Sequence, residues 1–330
     1  MEYTANETRY ENAEYRKCGE SGLKLPSVSL GLWHNFGDSA DYENMCKMCF
    51  TAFDNGITHF DLANNYGPPA GSAERNFGKI LRDHLSAYRD EMIISTKAGY
   101  YMWEGPYGDF GSRKYLLSSL DQSLTRLGLD YVDIFYHHRM DPGTPLEETM
   151  EALAQMVRSG KALYIGLSKY DAPTLERASA ILRELHCPFV VNQLRYNLLE
   201  RTVERDGTID TAIKEGKGVM AFTPFAQGLL TERYLSAAAG EATRRSDGLC
   251  VLREEVYTDD RRRQILELGE IAHQRGQTLQ GMALSWVMQQ RGVSSVVMGA
   301  SRPEQILENL EALKHTDFTS EELQRIDALT

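Results

Sequence analysis

The sequence predicts an α/β protein, a (β/α)8 TIM barrel with an N-terminal β-hairpin and an extra C-terminal helix. Two observations predict it. Eight short apolar runs, marked by Leu30, Phe60, Ile94, Ile134, Ile165, Val191, Ala221 and Val297, each give way to a segment of helical period, and eight such βα units close into a parallel barrel. Polar residues also gather where these runs end, on the face where such barrels carry their function. A doubly wound sheet is the alternative. It is weakened by the absence of a nucleotide fingerprint, since the nearest glycine match, GKGVMA at 216–221, precedes a strand instead of following one.

In order, residues 1–14 read as a loose tail, and 15–27 as a hairpin punctuated by Gly and Pro. SLGLW ends in Trp33, and a helix over 42–53 buries Cys46 and Cys49 beside Met45 and Phe50. That CxxC stands inside a helix with no second pair, so no metal or redox centre is expected there. Ser72 is placed as the cap of the next helix. MIISTK is a strand ending in Lys97, and 98–113 is a long aromatic and glycine-rich loop, of a length that in compact domains often forms a lid or pocket. The alternation then runs to a helix near 321–328, interrupted by an insertion at 230–259.

At 330 residues, with 42% hydrophobic and 25% charged, the chain has the size and composition of one barrel domain over 1–330. Its net charge of -11 argues against nucleic acid or an anionic membrane as partner. No apolar run approaches the roughly 18 residues of a membrane span, and the polar start is no signal peptide. A cytoplasmic location is expected. Five scattered cysteines fit reduced thiols.

The chemistry is concentrated around HFDLANNYG at 59–67, which brings Asp61 and Tyr66 to one strand end. Barrel closure adds Lys97 and His138. An ammonium beside the phenol lowers its high pKa, Asp61 supplies the counter-charge that a sunken ammonium needs, and a neutral His138 can direct a carbonyl oxygen. Such a set suits proton transfer to a carbonyl that receives hydride from elsewhere, which implies a nicotinamide.

The four motifs FDLANNYG, IISTKAG, YVDIFYHH and GASRPEQILEN, in that order from about Tyr15 to Leu329, resemble the aldo-keto reductases. Within the family the stretch from TKAGYY to YHHRMD resembles the bacterial L-glyceraldehyde 3-phosphate reductases, relatives of the voltage-gated potassium channel β subunits. The resemblance implies Asp61, Tyr66, Lys97 and His138 as the catalytic tetrad, with His138 matched five residues beyond Asp133 and His137 a bystander.

It also implies a cofactor site without a Rossmann domain. Trp33 borders cofactor and aldehyde, Phe222 stacks on the nicotinamide, and Ser168 and Gln193 hold its carboxamide; Lys169 stands where many members have Asn. Thr223, Pro224, Phe225, Ala226, Gln227 and Gly228 follow the pyrophosphate, with Arg233 and Arg244 over it. Gly299, Ser301, Gln305, Glu308 and Asn309 match the adenosine end. Arg302 favours a 2'-phosphate and hence NADPH, or is an exposed arginine in a turn.

The expected function is NADPH-dependent reduction of small aldehydes such as glyceraldehyde 3-phosphate or methylglyoxal. Trp33, Tyr101, Trp103 and Tyr107 are expected to wall a narrow mouth, with Arg113, Arg139 and Lys169 near enough to meet a phosphate. The rival function is a cofactor-binding, redox-sensing subunit like the channel β subunits; those have Asn where this chain has His138. A homo-oligomer, tetramer or octamer, is expected by resemblance.

Overall fold

The computed structural model describes residues 3–236 and 258–330. A two-stranded antiparallel hairpin, β1 (Tyr15–Lys17) and β2 (Lys24–Pro26), precedes eight parallel strands. These are β3 (Val28–Gly31), β4 (His59–Asp61), β5 (Ile93–Ala98), β6 (Val132–His137), β7 (Ala162–Ser168), β8 (Phe189–Arg195), β9 (Gly218–Phe222) and β10 (Val293–Met298), paired in chain order, with β10 closing on β3. The expected closed barrel is what forms. Its strands are apolar on both faces because helices cover the outside and side chains fill the inside; every residue of β6 is buried.

The filling is split in two. Between strands and helices lies one large apolar layer, while Ile134, Tyr136, Val191, Met220 and Val297 form a second cluster with Cys18 and Leu25 of the hairpin. Gly166 of β7 makes room for it, since a Cβ there would stand 2.3 Å from the Tyr136 ring. The hairpin thereby plugs the amino-terminal end of the barrel, and the opposite end is left open.

Helices α1 (Tyr42–Asp54), α2 (Ser72–Ile80), α3 (Arg113–Leu127), α4 (Leu146–Arg158) and α5 (Ala172–Glu184) alternate with the strands. After β8 come α6 (Thr202–Arg205) and α7 (Thr208–Lys214); α8 (Arg233–Ser236), α9 (Asp259–Gln274), α10 (Leu279–Met288), α11 (Pro303–Ala312) and α12 (Ser320–Leu329) follow. Caps set several starts: the side chains of Asp41, Ser112, Asp171 and Thr278 each accept a first-turn N–H. Ser72 does not. The cap of α2 is Gly71 at φ 84°, a conformation glycine adopts without strain, and Ser72 lies one residue inside with its Oγ buried.

Residues 3–14 are not the loose tail the composition suggests. The Tyr3 ring stacks on Phe50 at 4.0 Å and its hydroxyl donates to Asp54 at 2.7 Å. Ala5 is buried, and Arg9 pairs with Glu91 at 2.5 Å. Two aromatic and ionic anchors hold what a mostly polar stretch conceals. Among the described residues no helix is long and apolar enough to cross a membrane.

Two histidines in this core make stability depend on pH. Burial holds His59 and His137 at about 4, against the opposing pull of Asp61 on the first and Asp141 on the second. The unfolded chain takes up these protons below about 6.5, so their contribution is complete above that pH and is lost as pH falls towards 4. The slope is about 1.4 kcal/mol per pH unit for each group. We expect a flat Tm from pH 8 to 7 and a fall from 6.5 to 4.5 that is shallower in His137→Gln; an equal fall in both proteins would refute the assignment to His137.

Candidate active site

The open end of the barrel carries the predicted tetrad. Asp61 is the last residue of β4 and Lys97 the fifth of β5; Tyr66 follows in the loop after β4, and His138 stands one residue past β6, where its N–H still donates to Ala98 O at 2.9 Å. Lys97 Nζ donates to Asp61 Oδ2 at 2.5 Å and to Leu62 O at 2.6 Å. Asp61 Oδ1 accepts from Ser95 Oγ at 2.7 Å and from Gln193 Nε2 at 3.3 Å. The same ammonium lies 5.1 Å from the centre of the Tyr66 ring, and that ring is 6.0 Å from the His138 ring.

Burial lowers the Lys97 pKa, and Asp61 opposes it. For Tyr66 the expectation is reversed. Its pKa lies well above the ordinary value, raised first by burial and then by the charges of Asp61 and Tyr100. The physical reason is that burial penalises the phenolate and the Asp61 charge adds to that penalty. Tyr66 therefore stands as a neutral phenol with its proton. His138 is held well below 6.5 by burial and then by Lys97, Lys169, His137 and Arg139, so its imidazole is neutral, and its Nδ1 is buried without a partner. His137, turned away, bonds to Tyr170 Oη at 2.6 Å.

Over these groups opens a cavity of about 530 Å³. Of the predicted residues it is lined by Trp33, Asp61, Tyr66, His138, Ser168 and Gln193, by Phe222, Thr223, Pro224, Phe225, Gln227 and Gly228, and by Gly299, Ser301 and Gln305. Lys97 lies beneath the wall, fully buried. Ser168 Oγ is a buried hydroxyl without a partner on this wall. Four of the six non-glycine residues at positive φ among the described residues, Lys169, Thr223, Ala226 and Gln227, follow β7 and β9 at this mouth, where strained backbone is expected of a ligand clamp.

Other predicted residues are not brought into the wall. Ala226 stays behind it; Asn309 is buried, its side chain engaged by Gln280 and Met298. Arg302 and Glu308 face each other on the surface at 3.5 Å, and Arg233 is exposed on α8. Arg244 lies outside the described residues.

The expected aromatic mouth is corrected. Tyr101 is exposed outside the cavity, Tyr107 is likewise exposed, and Trp103 packs on Tyr115 at 5.1 Å. Tyr100 takes their place, 4.7 Å from His138. Gly99 lets it approach, since a Cβ there would lie 3.0 Å from His138 Cβ.

The expected cations are corrected as well. Arg113 is spent on Gln155 on the outer face, and Arg139 bonds both Asp109 oxygens at 2.8 and 2.9 Å. Lys169 remains, donating to Tyr100 Oη at 2.6 Å, and Arg195 joins it across Phe222, with Lys169 Nζ 5.6 Å and Arg195 Cζ 6.0 Å from that ring. Arg195 was legible: it lies two residues beyond Gln193 in β8, on the same face of the strand.

The aldo/keto reductase family model matches residues 27–330. The chain is 53% identical over 329 residues, 99% of this chain and 95% of the relative, to L-glyceraldehyde 3-phosphate reductase of Escherichia coli strain K12. It is 34% identical to a putative voltage-gated potassium channel subunit beta of Schizosaccharomyces pombe, over 97% of this chain and 94% of that one. A crystal structure of a thermostable aldo-keto reductase in complex with the inhibitor epalrestat superposes with a TM-score of 0.75 at 30% identity, covering 96% of this chain and all of that one. With that barrel and that open end, the chain belongs to the aldo/keto reductase family and is an oxidoreductase.

Proposed function

We propose that the protein reduces small aldehydes to alcohols at the expense of NADPH, with Tyr66 as the proton donor. The observation that carries this reading is a protonated phenol opening on the cavity beside a neutral imidazole, backed by a buried ammonium-carboxylate pair. The name of the 53% identical relative supports it.

The residues fit a nicotinamide: the orphaned Ser168 hydroxyl needs a polar partner, Gln193 stands next to it in the wall, and Phe222 offers a ring face. The strained turn after β9 and the start of α11 would hold the phosphates, the latter through backbone N–H groups. When bound, the cofactor supplies hydride. The neutral His138 side chain then directs the carbonyl oxygen towards Tyr66, whose hydroxyl gives that oxygen its proton. The phenolate so formed is stabilised by Lys97, which Asp61 keeps charged and in place. A sensing subunit, as the name of the 34% identical relative suggests for that protein, is the competing reading; His138 beside Tyr66 favours turnover.

Tyr66→Phe is expected to lower kcat by at least about a hundredfold and to leave cofactor affinity within about twofold. Wild-type turnover in that variant would sink the assignment.

Arg302 reads as the 2'-phosphate contact, its guanidinium being half exposed and held only at 3.5 and 3.7 Å by Glu308 and Glu304. Arg302→Ala should reduce the preference for NADPH over NADH by about tenfold, the worth of one charge-assisted hydrogen bond. An unchanged ratio removes Arg302 from the cofactor site.

Lys169 and Arg195 are the cations that a phosphorylated aldehyde would meet. We expect a higher kcat/KM for glyceraldehyde 3-phosphate than for glyceraldehyde, reduction of methylglyoxal, and none of bulky steroids. Arg195→Ala should cost the phosphorylated aldehyde about tenfold and the unphosphorylated one little. Equal losses for both would place Arg195 outside the substrate's reach.

A further inference from the structure

Beneath the tetrad runs a line of buried polar side chains that takes no part in the cavity lining. Ser295 of β10, Ser29 of β3, His59 of β4 and Ser95 of β5 are all fully buried. Ser295 Oγ is 2.7 Å from Ser29 Oγ, Ser29 Oγ 2.8 Å from His59 Nδ1, His59 Nε2 2.9 Å from Ser95 Oγ, and Ser95 Oγ 2.7 Å from Asp61 Oδ1. The line thus ends on the carboxylate that holds Lys97.

Counting protons gives it a direction. Asp61, against an ammonium at 2.5 Å, is ionised and only accepts. Ser95 has one hydroxyl proton and spends it there. His59 Nε2 must then donate to Ser95, which leaves Nδ1 of a neutral ring bare, to accept from Ser29, and Ser29 accepts from Ser295. In the other tautomer His59 Nε2 would accept the Ser95 proton, and Asp61 Oδ1 would lose its short bond and keep only the 3.3 Å bond from Gln193. The charged groups facing this ring are Asp61 and Lys97, with opposite effects on it, while burial keeps it neutral.

We propose that His59 is a positioning residue for the reaction: its Nε2–H tautomer commits the Ser95 hydroxyl to Asp61 Oδ1 and so fixes the carboxylate that orients Lys97 behind Tyr66. The kinetic part rests on the proton-transfer role of Tyr66 proposed above; the tautomer does not.

The test has two arms. Nitrogen-15 spectra of histidine-labelled protein at pH 7, with His59 assigned by its disappearance in His59→Gln, should give a protonated Nε2 and a bare Nδ1. A protonated Nδ1 overturns the proposal whatever the enzyme's chemistry. In kinetics, Ser95→Ala should lower kcat by about tenfold with KM for the aldehyde within about twofold. His59→Leu should lower kcat in the wild-type background and have little further effect in Ser95→Ala, while His59→Gln, which keeps a donor and an acceptor, should retain most of the rate. Losses that multiply would mean that His59 acts on packing alone and would overturn the role. Should the leucine variant not fold, the tautomer and a glutamine variant as slow as Ser95→Ala still decide against it. Full activity in Tyr66→Phe, with the tautomer as expected, would count against the proposed reaction and not against the hydrogen-bonded line.

Discussion

The structure of the site depends on one buried ion pair, Lys97 with Asp61, at 0% and 2% side-chain exposure. Charges so placed are tolerated only when paired and hydrogen-bonded, and removing one partner of such a pair costs about 3–5 kcal/mol. The barrel meets the requirement through register. Asp61 pairs across β4 and β5 with Ser95, and Lys97, two residues further on, points to the same face as Ser95. One strand thereby gives the carboxylate both a neutral donor and a cation, and Leu62 O takes a second ammonium proton.

Burial decides the protonation of the neighbours. At Tyr66 the Asp61 charge acts in the same direction as burial, so the proton stays. His138 sits under a different balance. Burial acts first on it, and Lys97 and Lys169 add to that effect, so its imidazole is neutral. Two groups at the ends of two different strands, β4 and β6, are thus both held uncharged. The pH dependence of the site and the pH dependence of the core share a cause, since burial is also what keeps His59 and His137 from protonating.

Much of this was legible because parallel strands buried on both faces leave unmistakable apolar runs, and because a polar residue ending such a run must lie at one end of the barrel. Asp61, Lys97 and His138 were found that way. What failed was local geometry on loops. Tyr101 and Trp103 were chosen for aromatic surface, whereas the turn at Gly99 presents Tyr100. Ser72 looked like a cap by residue type, but the chain enters α2 through a left-handed Gly71. Arg113 and Arg139 stand in segments that could reach the mouth, but their partners Gln155 and Asp109 are 42 and 30 residues away, separations that no local pattern reveals. The anchoring of Tyr3 on Phe50 and Asp54 is hidden for the same reason.

Charge at the mouth runs against the charge of the whole. The chain carries -11, and its arginines are widely matched with acids, Arg126 with Glu74 and Arg275 with Glu322 among them. Lys169 and Arg195 differ: among the described residues no carboxylate stands within salt-bridge distance of either, and both flank Phe222 in the cavity wall. Lys169 keeps its place at φ 60°, a conformation that costs a residue with a Cβ about 1 kcal/mol or more. Two unmatched cations raise the potential of the cleft, and Lys169 adds to burial in lowering the pKa of Lys97 and His138 below it. A negative charge entering the cleft would relieve that potential, so an anionic group on cofactor or substrate gains more here than at the paired arginines elsewhere on the surface. The mouth of this acidic protein therefore presents a positive potential above Tyr66 to an entering anion.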